Sequence, residues 1–356
     1  RQVKAEIDED LSCNYGTAAN TRPRRKLLDG VNGKYVAEPF GFWRKDDYRA
    51  TLIENSLVLT NLYSLKFCYT PRVVHVVDVF DFDKESVFFE ENQQYITLTT
   101  QCSFDRISRL EELCARWDGP ISAAVLLSPR QRAMGAGTKA LRRMARQFPH
   151  LKLLVCIKDR GPSLDSLYPM NAMRNVALDA AETEHVFLVD VDLMPSHGMH
   201  EKLSTIFFPR CAGNEDTKEE VQFKDPSYLF SVIPAFEVLK IEEHLEISSA
   251  LLGPSVTLKA AEKMYTEKKI RGFHVGHYKE GHGPTNYDKF FTAGEPYQID
   301  YAEGMEPYGV FSKSNAPKFD ERFRGFGFDK VSFVWELDQR GWSFEVLPSV
   351  YLLDRP

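Results

Sequence analysis

An apolar run, VFLV at 186–189, passes directly into Asp190-Val191-Asp192 within VFLVDVDLMPS. On an extended backbone, side chains two positions apart face the same side, so this spacing brings both carboxylates to one cation. Hard oxygen donors of that kind suit Mn2+ or Mg2+, which complete their shells with substrate phosphates. An Asp-x-Asp pair arises often by chance; one that follows a buried strand in a parallel α/β pattern points to a metal–nucleotide site. Upstream, Asn171, Arg174 and Asn175 fall at steps of three and four on a helical pattern, away from its apolar stripe. A guanidinium flanked by two amides beside a diphosphate site can hold a nucleotide or a sugar hydroxyl. His274 and His277 have H-x2-H spacing, with His282 nearby. No zinc-protease carboxylate pattern accompanies them, which favours loop histidines that contact substrate or one another. Gly135-Ala136-Gly137-Thr138-Lys139 lacks the glycine spacing of a phosphate loop and reads as a loop entering a helix. No G-x-S-x-G elbow occurs, so nucleophilic hydrolase chemistry has no support.

The elements that position these residues begin near residue 93. YITLTT (95–100) alternates as a strand, Ser103 follows as a helix cap, and Phe104, Ile107, Leu110, Cys114 and Trp117 recur at helical spacing. AAVLL (123–127) and LLVCI (153–157) read as further buried strands around a helix carrying Leu141, Met144, Ala145 and Phe148. Pro169 opens a helix with the stripe Met173, Val176, Ala177 and Ala180, and VFLV (186–189) is a fourth strand. Strands alternating with helices predict a mostly parallel sheet covered on both faces, with ligands at the carboxyl ends of its strands. Beyond residue 200 the alternation weakens: 213–226 is charged and loop-like, and 228–232 is a strand candidate. The stretch 273–308, rich in His, Gly, Pro and Tyr, has the composition of a binding surface rather than a core. A helix around 331–337 and a strand at 344–347 close the pattern. Residues 1–92 read as an N-terminal extension packed on a catalytic domain at 93–356.

Composition narrows the function. The chain has 356 residues, 43% of them apolar, and a net charge of -6, which gives no global positive field for a nucleic acid backbone. No run approaches a membrane span, so any anchor or targeting segment is expected to lie outside these 356 residues. Six cysteines without a C-x2-C pair argue against a zinc cage or a redox dithiol.

Six blocks, in order along a span from about residue 93 to the end, some three quarters of the chain, carry a resemblance. They are YITLTTQCSFDRISRLEELCARWDGPIS, YPMNAMRNVALDAAETEHVFLVDVDLMPS, VIPAFE, GHGPTNYDKFF, EGMEPYGVF and FDERFRGFGFDKVSFVWELDQRGWSFEVLP. Together they resemble glycosyltransferase family 49, which includes glucuronyltransferases of dystroglycan glycosylation. The resemblance implies an α/β GT-A fold, a UDP-sugar donor, a glycan or glycoprotein acceptor, inversion at the anomeric carbon and a type II protein of the Golgi lumen. Glucuronic acid, xylose and N-acetylglucosamine are the donor sugars it leaves open. Carried over by position, Asp190 and Asp192 (with Val191 between them) match the metal motif, and Asn171, Arg174 and Asn175 the helix beside the donor. Thr99, Thr100 and Gln101 match the strand end that meets the nucleotide, and Pro234 to Glu237, including Phe236, the block lining the cleft. His282, Thr285 and Tyr287 match the block GHGPTNYDKFF, Glu306 and Tyr308 the next, and Asp320, Arg322, Phe323 and Lys330 the last.

This chain departs from the family pattern twice. Where the family carries P-N-x-x-M-I-H, with a histidine resembling a third metal ligand, Pro348 leads instead to Asp354. That leaves the third ligand to Asp354 or to a residue beyond Pro356, or else weakens metal binding. The family's Asn-Lys pair reads Asp329-Lys330, adding a carboxylate near the implied acceptor site. For the general base of an inverting transfer the order is Glu306, then Asp320, then Asp329. Lys330 and Arg174 are the candidate partners of phosphate or donor sugar. The alternative reading is a catalytically silent glycan- or nucleotide-binding protein on the same fold, for which Asp354 in place of His is the best support.

Overall fold

The computed structural model describes residues 74–81, 95–158, 168–208, 226–323, 325 and 327–355. The charged stretch 209–225 and all of the N-terminal extension except 74–81 lie outside the described residues, or, for 82–92, between them. Strand β1 (Val74–Phe80) is followed by β2 (Ile96–Ser103), α1 (Ile107–Cys114) and β3 (Ile121–Leu127). Next come α2 (Pro129–Ala133), α3 (Ala136–Gln147), β4 (Leu151–Lys158), α4 (Met170–Ala180) and β5 (His185–Leu188). After β6 (Leu193–Pro195) and α5 (Met199–Phe207) the chain forms β7 (Leu229–Ile233), β8 (Ala235–Val238), α6 (His244–Leu252) and α7 (Leu258–Thr266). The last third holds β9 (Ile270–Gly272), α8 (Lys279–His282), α9 (Tyr287–Thr292), β10 (Tyr297–Ile299) and β11 (Tyr308–Ser312). It ends with α10 (Asp329–Gln339), β12 (Ser343–Val346) and β13 (Leu352–Asp354).

Nine strands form the main sheet in the order β1-β4-β3-β2-β5-β11-β7-β12-β10. Its central run β4-β3-β2-β5 is parallel, as the strand–helix alternation predicts. β11 enters antiparallel between β5 and β7, and β1 and β10 pair antiparallel at the edges, so the sheet is mixed. Alternation sorts the parallel strands onto two faces: Ala123, Val125, Leu153 and Val155 pack into the large core, Ala124, Leu154 and Cys156 against α4. Met173 and Ala177 of α4 meet the latter set, and Ser122 Oγ donates to the Ala177 carbonyl at 2.7 Å. A fully buried aliphatic side chain contributes roughly 1.5–3 kcal/mol, so this apolar contact sets where α4 lies. Its polar residues then follow.

Three local expectations are corrected. Ser103 makes no side-chain cap bond; a single 3-10 turn, Phe104–Arg106, intervenes before α1. That helix ends at Cys114, and Trp117 lies beyond it, buried with Nε1 donating to the Pro120 carbonyl at 3.1 Å. The Gly/Pro/Tyr-rich stretch 273–308 is substantially core: Phe273, Tyr287, Phe290, Tyr297, Met305 and Tyr308 are all buried. Glycines and prolines bend this backbone while its aromatic rings carry enough apolar area to fill the space beneath.

A second sheet, β6-β13-β8-β9, branches off just after Asp192. β13 runs antiparallel to β6 and parallel to β8, and β9 pairs antiparallel on the outside. One corner of the molecule therefore lies where β5 leaves the large sheet and β6 opens the small one.

Candidate active site

The Leu193 N–H donates to the Asp190 carbonyl at 3.0 Å, closing a turn over 190–193. The extended geometry expected for Asp-x-Asp is thereby corrected: β5 stops at Leu188, and the turn sends the two carboxylates to different partners. Val191 between them is buried in the core, which anchors the turn.

Asp190 faces inward. It accepts from Tyr308 Oη at 2.8 Å on Oδ2 and from Arg174 Nη2 at 3.2 Å on Oδ1, with Lys330 Nζ 3.4 Å from Oδ2. Burial opposes its ionisation, but the charges of Lys330 and then Arg174 outweigh it and hold the carboxyl well below the usual carboxylate range. Arg174 is itself enclosed. Its Nη1 donates to Asp329 Oδ2 at 2.5 Å and to Asn171 Oδ1 at 3.0 Å. One guanidinium thus ties the turn after β5 to the first residue of α10. Lys330, next along α10, lays its ammonium 3.7 Å from the centre of the Tyr308 ring.

Asp192 faces outward. Arg106, from the turn after β2, contacts its Oδ2, and Arg109 Nε lies 4.0 Å from Oδ1. Burial lifts this carboxyl further than the two arginines lower it. Asp354 ends β13 opposite Leu193, and Arg355 N donates to the Asp192 carbonyl at 3.0 Å. Burial, then the charges of Asp192 and Glu237, push the Asp354 carboxyl up to about 6. His244 Nε2 meets the Asp354 carbonyl at 3.2 Å.

Among the described residues no three His, Cys, Asp or Glu side chains gather around a point that could hold an ion, so the trio Asp190, Asp192 and Asp354 is not assembled as one shell. The donor chemistry nevertheless fits Mn2+ or Mg2+, which need only one or two carboxylates beside phosphate oxygens. Burial first, and then the negative charges of Asp192 and Glu237, disfavour an ionised Asp354, and a bound cation would offset both. His274 and His277 have ring centres 6.4 Å apart, and His282 is buried separately against Phe273 and Tyr308, with its Nε2 lacking a hydrogen bond.

The remaining predicted residues divide by what they touch. Thr99, Thr100 and Gln101 are buried around a gap too small for a water molecule, beside Arg174, Val189 and Asp190; Thr99 Oγ1 donates to the Phe187 carbonyl at 3.3 Å, Gln101 Oε1 accepts from Tyr168 Oη, and the Thr100 hydroxyl is buried without a partner. Glu306 is placed where Lys330, Asp329, Asp190 and Arg174 all act on it; burial, the largest effect, pushes it up to about 7. Asp329 is committed to Arg174, and Asp320 to its neighbour Arg322, whose Nη2 lies 2.5 Å from Oδ2.

Asn171 and Asn175 were expected to meet the donor. Their amides are instead engaged with the loop leading into α10: Asn171 Nδ2 donates to the Asp320 carbonyl at 2.9 Å, and Asn175 bonds both N–H and C=O of Phe319 at 2.9 Å. Phe236 and Tyr287, expected in the cleft, belong to an aromatic cluster with ring centres 5.1 Å apart, and Tyr287 Oη donates to the Ala235 carbonyl at 2.9 Å. A large ring on a short strand is better accommodated by other rings than by water. Pro234 accepts from Leu352 N at 2.8 Å and Thr285 from Tyr297 Oη at 2.7 Å, both through backbone carbonyls. Glu237 Oε1 lies 2.5 Å from Arg271 Nε. Arg106, Arg109, His244 and Arg271 were not singled out from the sequence; the i,i+3 spacing of Arg106 and Arg109 after a strand is the one signal that could have found them.

Residues 95–158 and 158–355 match the family described as glycosyl-transferase for dystroglycan. The chain belongs to that family. Similar curated proteins include the xylosyl- and glucuronyltransferase LARGE2s of Danio rerio, 32% identical over 261 residues, covering 73% of this chain and 31% of that protein. The xylosyl- and glucuronyltransferase LARGE1 of Mus musculus is 32% identical over 265 residues, with the same 73% and 31% covered. The chain thus spans about a third of the length of the curated relatives it matches. Among solved structures, GalNAc-T7 with UDP, GalNAc and Mn2+ is similar at 11% identity and a TM-score of 0.43, covering 96% of this chain and 57% of that one. S. aureus TarS 1-349 in complex with UDP-GlcNAc is similar at 14% identity and a TM-score of 0.35, covering 74% and 59%.

Proposed function

We propose that this chain is an inverting glycosyltransferase that moves a sugar from a UDP-sugar to a hydroxyl of a glycan acceptor. The observation that carries the reading is the corner itself, where Asp190 is clamped by Arg174, Tyr308 and Lys330 while Asp354 ends β13 opposite Leu193, the residue after Asp192. Asp192, with Asp354 in the place of the family's histidine, would hold Mn2+ or Mg2+ beside phosphate oxygens, and Asp190 would join them only by exchanging one of its present partners. When bound, the ion supplies positive charge to the departing diphosphate. Arg174 fixes the inner carboxylate. Lys330 carries a buried ammonium to the same place and meets phosphate or donor sugar. Thr99 to Gln101, on the strand beside the corner, are the residues that would meet the nucleotide.

Glu306 is the base. It takes the acceptor hydroxyl proton as the acceptor oxygen bonds the anomeric carbon and the bond from that carbon to the UDP oxygen breaks. Its elevated pKa suits a group that must hold that proton near neutrality. Glucuronic acid, xylose and N-acetylglucosamine are the donor candidates, and a thermal-shift panel of UDP-sugars with Mn2+ separates them. Full turnover by Glu306→Gln would remove Glu306 as base. Placement in the Golgi lumen as a type II protein follows the family. Among the described residues no helix is long and apolar enough to cross a membrane, and protease protection of the full-length protein in sealed vesicles tests the placement.

A further inference from the structure

Away from the corner, a groove of about 540 Å³ lies between α7, α9 and strand β9. Its volume is that of a small-molecule site rather than of a surface dimple. Tyr265 and Phe291 contribute two half-buried rings with centres 5.1 Å apart, and Glu262, Lys268, Arg271 and Asp288 stand around them. Apolar ring faces bordered by charged side chains match a sugar, whose C–H faces lie on aromatic rings while its hydroxyls bond acids and cations.

The groove is joined to the corner by a row of side chains on one face of the small sheet. Leu353 pairs with Phe236 and both are core residues, so the next residues along, Asp354 and Glu237, share the opposite face. Glu237 pairs in register with Arg271, which bonds it and also lines the groove. The row Asp354, Glu237, Arg271 therefore runs from the ion corner to the groove. Across these three strands it spans roughly 10 Å, two steps of strand spacing.

From this continuity we infer that the groove is a remote acceptor subsite, binding sugars of the acceptor glycan several units from the hydroxyl that reacts. The inference rests on the transferase reading given above. A peptide added as a strand is the weaker occupant, because β9 has three residues, too few to template a long ladder.

The test is calorimetric binding of β-linked xylo-oligosaccharides, from the disaccharide to the hexasaccharide, and of oligosaccharides alternating xylose with glucuronate. UDP with Mn2+ is titrated in parallel as a separate readout of the donor site. In Tyr265→Ala and Phe291→Ala the longest oligosaccharide that binds the unaltered protein is expected to bind about tenfold more weakly, the scale of one lost ring contact. UDP affinity and the affinity for the shortest sugar stay unchanged. Thr266→Trp, at an exposed position on the rim, fills the groove without removing a core contact and is expected to give the same loss. Unchanged long-chain binding in Thr266→Trp, with UDP binding intact, would overturn the subsite and leave the transferase reading standing. So would failure of the unaltered protein to bind any of these sugars while it binds UDP, or ring-independent binding of an extended peptide. Absence of UDP binding in the unaltered protein would overturn both.

Discussion

The two acids of the corner occupy opposite regimes. Asp190 is held by groups that the fold cannot release: Arg174 is buried between it and Asp329, and Tyr308 arrives on a strand inserted antiparallel between β5 and β7. Asp192 is held by Arg106, whose side chain is 52% exposed, and more distantly by Arg109. One carboxylate is enclosed by buried partners, whereas the other is paired chiefly with an exposed arginine. For the proposed transferase, the first would serve as a fixed reference point and the second as the acid open to exchange its partner for an ion.

Breaking the inner half should have the largest effect. Arg174→Ala leaves Asp329 and Asp190 without their shared cation, and loss of one partner of a buried pair costs about 3–5 kcal/mol. Urea denaturation should show that loss, with Arg174→Lys failing to restore it because an ammonium cannot bridge two carboxylates as a fork does. Turnover of Glu306→Gln should fall by roughly 10²–10⁴ while UDP binding is retained, the range for loss of a general base. Because the folded-state pKa of Glu306 lies at about 7, above its ordinary value of 4.5, the acid form persists toward neutrality. Activity of the unaltered protein should therefore rise with pH through about 7, and the residual activity of Glu306→Gln should show no such limb. The same shift lowers stability as pH rises from 4.5 through 7, so Glu306→Gln should melt no lower than the unaltered protein at pH 8.

Tyr308→Phe removes one hydrogen bond to Asp190 and leaves the ring under Lys330, a change of about 1–2 kcal/mol in thermal unfolding. The outer half sets the smallest effect on folding. Arg106→Ala breaks an exposed pair and should alter stability by less than about 1 kcal/mol. Removing that competing cation should tighten Mn2+ binding measured by calorimetry; weaker binding would show that Arg106 serves the ion rather than competing with it.

The parallel half of the large sheet was legible because its strands are apolar runs and its helices keep a strict period, so β2 to β5 fall within a few residues of their expected places. Pairing was not legible. Nothing local in YGVFS at 308–312 says that it slots antiparallel beside β5, although that placement is what brings Tyr308 to Asp190. The Asp-x-Asp was found, but its geometry was misread, since an apolar run gives no sign of the bond from Leu193 that ends the strand. Asn171 and Asn175 were recognised as unusual for a helix, yet their partners are backbone groups almost 150 positions away, which no spacing rule reveals. The stretch 273–308 was taken for surface because glycine and proline mark turns, while its rings are what the core buries.

Calorimetric titration of UDP into the intact protein, with and without Mn2+, and into Asp192→Asn tests the central claim most directly. Binding is expected to depend on Mn2+ and to be lost in Asp192→Asn, while that variant unfolds at the same temperature as the unaltered protein. Equal UDP binding with the ion absent, or Mn2+-dependent binding that survives in Asp192→Asn, would contradict it.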